Sequence, residues 1–266
     1  MMAINQGIRR SSYLIVLALV FTSCAKIKIN TPSSRFISPE ANGNLLDGSA
    51  RLSGSSATEG TLNFDNDKTD NPLELRNNVT GLGLDLDLGI VEKLDFIIKG
   101  SASAPGVYTI KYQILGDPRS TAQIGNQSLA VTVGYGTQLE SQSENDSGIF
   151  DDSSDNTSAD IEQSLMEFSI IYGIRPQSLK KEGLFYGSIQ ASKHDINFEI
   201  TKSDNIALDG KAFSLNSWSY GASLGAIRYF DKYYANIEMS AQRTDWTNND
   251  PMTYAFLSMA MGYKWD

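Results

Sequence analysis

The sequence predicts an all-β chain, an antiparallel up-and-down transmembrane β-barrel of ten strands. Three observations predict it. Apolar and polar residues alternate with a period of two from about residue 49 to the end, and no segment holds a helical stripe. The longest apolar run, residues 13–21, is shorter than the roughly 20 residues a spanning helix needs. A chain that crosses a bilayer without such a helix must close its backbone hydrogen bonds in a barrel.

The clearest pair of strands begins at Gly81. Leu82, Leu84, Leu86 and Leu88 lie on one face, and Gly83, Asp85 and Asp87 on the other. After a break at 89–93, Leu94, Phe96, Ile98, Gly100 and Ala102 alternate with Asp95, Ile97, Lys99, Ser101 and Ser103. This spacing predicts a hairpin with one apolar face. Comparable rows occupy 108–114, 129–135, 166–172, 185–191, 218–226, 233–241 and 257–265, although Leu165 and Ile171 blur the polar side of the row at 166–172. Residues 49–64 supply a weaker strand ahead of them.

Counting that weak strand gives ten. A barrel whose N-terminus and last strand both end on the periplasmic side crosses an even number of times. Eight is the alternative, with the weak strand and one neighbour outside the barrel. Short turns at 89–93, at 231–232 and after Gly173 fall on the periplasmic side, and the long acidic segment 138–159 falls outside.

Alternation alone does not say which face points outward. In a soluble lipocalin-like ligand-binding barrel or sandwich, the competing architecture, the apolar side chains turn inward. Two features favour lipid outside. The polar faces are rich in Gly, Ser, Ala and Thr, which suit a narrow interior better than a water-facing surface. Trp218, Tyr229, Tyr233, Tyr263 and Trp265 gather near strand ends, where an interfacial girdle holds them.

The N-terminus carries Arg9 and Arg10, the short apolar run, and then Thr22-Ser23-Cys24. A charged n-region, an apolar h-region and small residues before the cut predict a secretory signal peptide over 1–23. Cys24 is the only cysteine, so the mature chain has no internal disulfide and the thiol calls for a covalent cap. Phe21-Thr22-Ser23-Cys24 resembles the lipobox of bacterial lipoproteins, with Phe21 in place of the usual leucine. That resemblance implies that Cys24 carries acyl chains and that Ala25 behind it directs the protein to the outer membrane of a diderm bacterium. Residues 24–48, rich in Ser, Thr, Pro and Asn, then read as the lipidated N-terminus and tether, and 49–266 as the barrel domain.

The last row, Leu257, Met259, Met261, Tyr263 and Trp265, resembles the closing strand of bacterial outer-membrane barrel proteins, here followed by one extra residue, Asp266. The resemblance implies recognition by the barrel-insertion machinery, and a setting of outer-membrane lipids and lipopolysaccharide. With a net charge of -9 and a pI near 4.7, the chain is repelled by nucleic-acid phosphates, so no nucleic-acid partner is expected.

Chemistry is sparse. His194, the sole histidine, lies in Ser192-Lys193-His194-Asp195 and reads as a solvated residue at a strand end. The lipid A deacylases place a serine two residues after their histidine, where this chain has Ile196. The omptin proteases place an acid two residues before theirs, where it has Ser192. Asp85, Asp87 and Asp95 form a candidate polar cluster in the lumen near the periplasmic mouth, able to hold cations or to pair with Lys99, Lys111 or Arg228. The carboxylates of 138–159 lack the spacing of an EF-hand, and there is no Walker loop, dinucleotide fingerprint, nucleophile elbow or zinc ligand set. No catalytic residue, metal or cofactor is expected. The expected role is non-enzymatic: contact at the envelope or cell surface, or limited passage of small solutes through an interior filled by Tyr186, Gln190, Tyr234, Glu238 and Lys264.

Overall fold

The computed structural model describes residues 28–32, 36–62, 73–101, 105–145, 156–202, 209–247 and 250–265. The predicted signal peptide, Cys24 and the middle of the acidic segment lie outside the described residues. The strands are β1 (Lys28–Pro32), β2 (Gly48–Leu62), β3 (Leu73–Val91), β4 (Leu94–Ser101), β5 (Val107–Leu115), β6 (Gln127–Asn145), β7 (Asn156–Ile174), β8 (Gly183–Lys202), β9 (Ala212–Phe230), β10 (Tyr233–Trp246) and β11 (Met252–Trp265). A short 3-10 helix, Gln177–Glu182, precedes β8.

Strands β2 to β11 pair in sequence order, all antiparallel, and β11 returns to β2 through Trp265↔Gly48 up to Met259↔Gly54. The sheet is a closed ten-stranded barrel. Following paired residues around the wall, the path that leaves β10 at Trp246 comes back to it at Tyr234, a stagger of twelve residues. With about 3.3 Å per residue and about 4.8 Å between strands, that stagger tilts the strands by about 40° and sets a backbone radius of about 10 Å. Such a tube is narrow enough for side chains to fill.

The alternation predicted from sequence is present, and it changes meaning with height. On β8 the outward positions begin with Phe185, Gly187, Ile189 and Ala191 and continue as Lys193, Asp195, Asn197 and Glu199. The inward positions run Tyr186, Ser188, Gln190, Ser192 and His194, then Ile196, Phe198 and Ile200. Below His194 the wall is polar inside and apolar outside; above it the order is reversed. The apolar band around the lower half, about ten residues of tilted strand, is about 25 Å tall, the height a bilayer core requires. Trp218 and Tyr220 stack at its upper edge, and Tyr233, Tyr263 and Trp265 pack together at its lower edge. Above the band Ala159, Ile161, Ile196, Phe198, Leu215 and Trp246 form an internal apolar cluster, as expected where the outside is water.

His194 therefore departs from the expectation of a solvated strand end. It lies in the middle of β8 and is buried at the level where the inward face changes character.

The tether reading of 24–48 is also corrected. Phe36, Ile37, Ala41 and Asn42 are buried inside the barrel, between β1 and the start of β2. β1 itself was not foreseen. It pairs with β2 from Lys28↔Thr61 to Pro32↔Ala57, along the stretch of β2 whose other edge is held by β3. β1 therefore stands on the β11 side, above Gly54, where the β2–β11 pairing stops. The N-terminal strand thus sits at the rim opposite Gly48 and Trp265, against the expectation of an N-terminus at their end. The even strand count still holds, because β2 starts and β11 ends at one rim.

Two glycines of the wall have a specific task. A Cβ on Gly225 would fall 2.2 Å from Cζ of Tyr186, and one on Gly262 would fall 2.3 Å from Cζ of Tyr234. Each tyrosine lies flat over a bare stretch of neighbouring strand. The substitution Gly225→Ala will displace Tyr186 and lower the temperature at which the barrel unfolds on a heated detergent gel. Gly54→Ala, where nothing lies within 4 Å of the new carbon, will leave that temperature unchanged.

Candidate functional site

The site is the lumen at the Gly48 end and the N-terminal segment that fills it. Phe36 marks the top. Its φ of 47° is in the left-handed region, which a bulky residue adopts only when its surroundings hold it there. Glu238 accepts from its N–H at 3.0 Å, and Arg51 donates to its carbonyl while lying over its ring at 5.6 Å. Tyr186 donates to the same Glu238 oxygen at 2.8 Å, so β8, β10 and β2 grip one backbone turn together.

Ile37 lies next, in a cluster with Ile97, Ile171, Leu184 and Ile227. These are inward positions of β4, β7, β8 and β9 that would otherwise expose hydrocarbon to a wet lumen. Ile97 and Ile171 interrupt the polar side of their rows in the sequence for this reason.

Below Ile37, side chains of the segment meet the charges of the wall. Glu40 takes a two-pronged contact from Arg175, Nε to Oε1 at 2.7 Å and Nη2 to Oε2 at 2.6 Å, and accepts from Asn126 at 3.0 Å. Such paired geometry is the strongest form of this contact. Arg175, just past the end of β7, has its proton loosened by burial, but the Glu40 hydrogen bonds and charge outweigh that and raise its pKa. Ala41 donates to Gln113 at 2.6 Å.

The three aspartates predicted as a cluster do share the lumen, with distinct partners. Asp85 is bound by Arg51, at 3.0 Å from Nε and 2.5 Å from Nη2. Asp95 accepts from the Asn42 backbone N–H at 3.1 Å and pairs with Lys111 at 2.7 Å. Asp87 accepts from the Asn42 side-chain amide at 2.8 Å and lies 3.3 Å from Lys111. Lys111 also donates to the Glu40 carbonyl at 3.0 Å. Of the cations expected to pair with these aspartates, Lys111 does, while Lys99 contacts Glu167 and Arg228 contacts Glu182 at the rim. Two of the three carboxylates therefore hold the N-terminal segment, and Arg51, the partner of the third, holds it too.

At the rim the segment turns into β2. Leu46 donates to the Gly89 carbonyl at 2.9 Å, and the indole N–H of Trp265 donates to the Leu46 carbonyl at 2.8 Å. Glu40, Asn42, Arg51 and Arg175 were not singled out in the sequence. A visible hint was the charge density of inward positions in so narrow a tube.

The second lumen feature surrounds His194. Its ring tilts against Trp246 at 5.9 Å, and neither ring nitrogen has a hydrogen-bond partner among the described residues. Ser217 stands opposite it on β9, yet its hydroxyl is likewise without a partner among them. Asp195 points to the outer face and pairs with Lys193 at 2.8 Å. The imidazole is thus neither oriented by a carboxylate nor joined to a nucleophile, the two contacts a general base needs. Among the described residues no three metal-binding side chains converge.

The closed antiparallel wall, the apolar band and its two aromatic edges are together the architecture of an outer-membrane β-barrel. No protein-family model matches the chain, and comparison with curated proteins gave no match. Among solved structures, it is similar to the outer membrane protease OmpT from Escherichia coli, at 10% identity over 84% of this chain and 94% of that one, with a TM-score of 0.40. It is also similar to the outer membrane channel DcaP of Acinetobacter baumannii, at 8% identity over 83% and 96% of the chains, with a TM-score of 0.23.

Proposed function

We propose that this chain is an outer-membrane barrel lipoprotein with a non-enzymatic role at the cell envelope, kept shut by its own N-terminal segment. The observation that carries the reading is the position of residues 36–43 in the lumen, tied there by contacts to Arg51, Asp87, Asp95, Lys111, Arg175 and Glu238. A lumen filled in this way leaves contact through the outer loops as the main role, with at most slow passage of small solutes. The isolated imidazole supports the absence of catalysis. The lipobox-like Cys24 supports an acyl anchor, and the C-terminal row ending at Trp265 supports insertion by the barrel machinery beside lipopolysaccharide.

Purified full-length protein in planar bilayers will show no steady conductance, and large open channels would overturn the closed-barrel reading. The mature protein will require detergent for extraction even with Cys24→Ser, because the 25 Å apolar band remains. Release of that variant into aqueous buffer would favour a tethered soluble domain. Metabolic labelling with a radioactive fatty acid, lost in the same variant, reads the acyl chain directly.

A further inference from the structure

We propose that the N-terminus is threaded through the barrel, so that the chain ahead of β1 leaves at the loop rim, on the cell-surface side. The proposal rests on the outer-membrane orientation just described only for the word surface; the threading itself follows from the path of the backbone.

That path has four fixed points. β1 runs from Lys28, opposite Thr61, to Pro32, opposite Ala57, and so descends toward the Gly48 end. Four residues later Phe36 is already inside, bonded through its N–H to Glu238 on β10 and through its carbonyl to Arg51 on β2. Asn42 lies lower, between Asp87 and Asp95. Leu46 reaches the opposite rim, between Gly89 and Trp265. The segment therefore travels the tube from the loop rim to the turn rim before β2 begins its return.

Reach then decides where the N-terminus can be. Gly48 and Thr61 are thirteen residues apart on β2, which at about 3.3 Å per residue and about 40° of tilt places Lys28 about 33 Å above the turn rim. Cys24 is four residues from Lys28, a span of at most about 14 Å. Cys24 cannot return to the turn rim. It can reach the upper edge of the apolar band, which ends about 8 Å below the level of Lys28 on the same figures. Acyl chains borne by Cys24 would then enter the outer leaflet, the one that carries lipopolysaccharide, and the protein would hold both its loops and its lipid anchor on one side.

The test uses single cysteines in the full-length protein on intact cells, labelled with a membrane-impermeant maleimide before and after permeabilisation, with the unsubstituted chain as background. Lys26→Cys reports the N-terminus, Asp151→Cys the long acidic connection between β6 and β7, and Glu92→Cys the turn between β3 and β4. Lys26→Cys and Asp151→Cys will label in intact cells, and Glu92→Cys only after permeabilisation. Labelling of Lys26→Cys that follows Glu92→Cys would overturn the threading. Labelling of Glu92→Cys without Asp151→Cys would instead reverse the barrel's orientation, and threading would still stand if Lys26→Cys sided with Asp151→Cys. An epitope inserted between Ala25 and Lys26, read by antibody binding, gives the same decision where lipid shields the thiol.

Discussion

Replacing Lys111 with methionine will destabilise the barrel by about 3–5 kcal/mol, the cost typical of removing one partner from a buried ion pair. The ammonium is fully buried, 2.7 Å from Asp95 and 3.3 Å from Asp87, and it donates to the carbonyl of Glu40. Methionine keeps the volume of the side chain and removes the cation that pairs with both carboxylates. The urea midpoint of the refolded protein in detergent will fall accordingly. The double variant Lys111→Met with Asp95→Asn will recover part of the loss, because it removes one of the stranded charges. A double variant as unstable as the sum of the two single changes would show that Lys111 and Asp95 do not interact.

Deleting residues 26–46, so that Cys24 and Ala25 lead directly into Asp47, will convert a silent barrel into one that conducts. The ion pairs Lys111–Asp95 and Arg51–Asp85 lie within the wall and survive the deletion, so the tube keeps much of its internal pairing. What disappears is Phe36, Ile37 and the backbone that spans the lumen between Arg51 and Arg175. Planar-bilayer recordings will show resolved steps absent from the full-length protein. Silence in a variant that still shifts on a heated gel would move the constriction upward, to the apolar cluster of Ile161, Ile196, Phe198 and Trp246.

The wall was legible in the sequence because lipid imposes a strict rule on it. Each outward position in the band must be apolar, so rows such as Leu82 to Leu88 and Leu257 to Trp265 announce themselves. Two things escaped that rule. Above the band water replaces lipid, and the rule inverts: on β8 the alternation continues from Lys193 to Ile200 with its apolar side turned inward. By the rule of the lower half alone, the strand would end near His194. The choice between an apolar exterior and an apolar interior was posed for the whole chain, whereas each holds at its own height. The second escape was the N-terminal segment. It has no period because it is neither helix nor strand between Phe36 and Asp47, and single contacts hold it: Glu40 to Arg175, Asn42 to Asp87 and Asp95. Such contacts leave no pattern in the segment, only a residue in its partners, seen as Ile97 and Ile171 on a face that should have been polar.

The hydrogen bond between Trp265 and Leu46 spans 219 positions of chain. Its existence ties the order of assembly to the order of synthesis. The N-terminal segment is made and exported first, yet the walls that enclose it are completed only by the last strand. Contacts so distant in sequence are slow to form, and until β11 meets β2 the edges of both strands are open to wrong partners. In that interval Ile37 is a ready partner for Ile97, Ile171, Leu184 and Ile227 on the inward faces of β4, β7, β8 and β9, and Glu40 for Arg175 just past β7. The segment that later closes the lumen can thus serve, before closure, as the template around which the sheet curls.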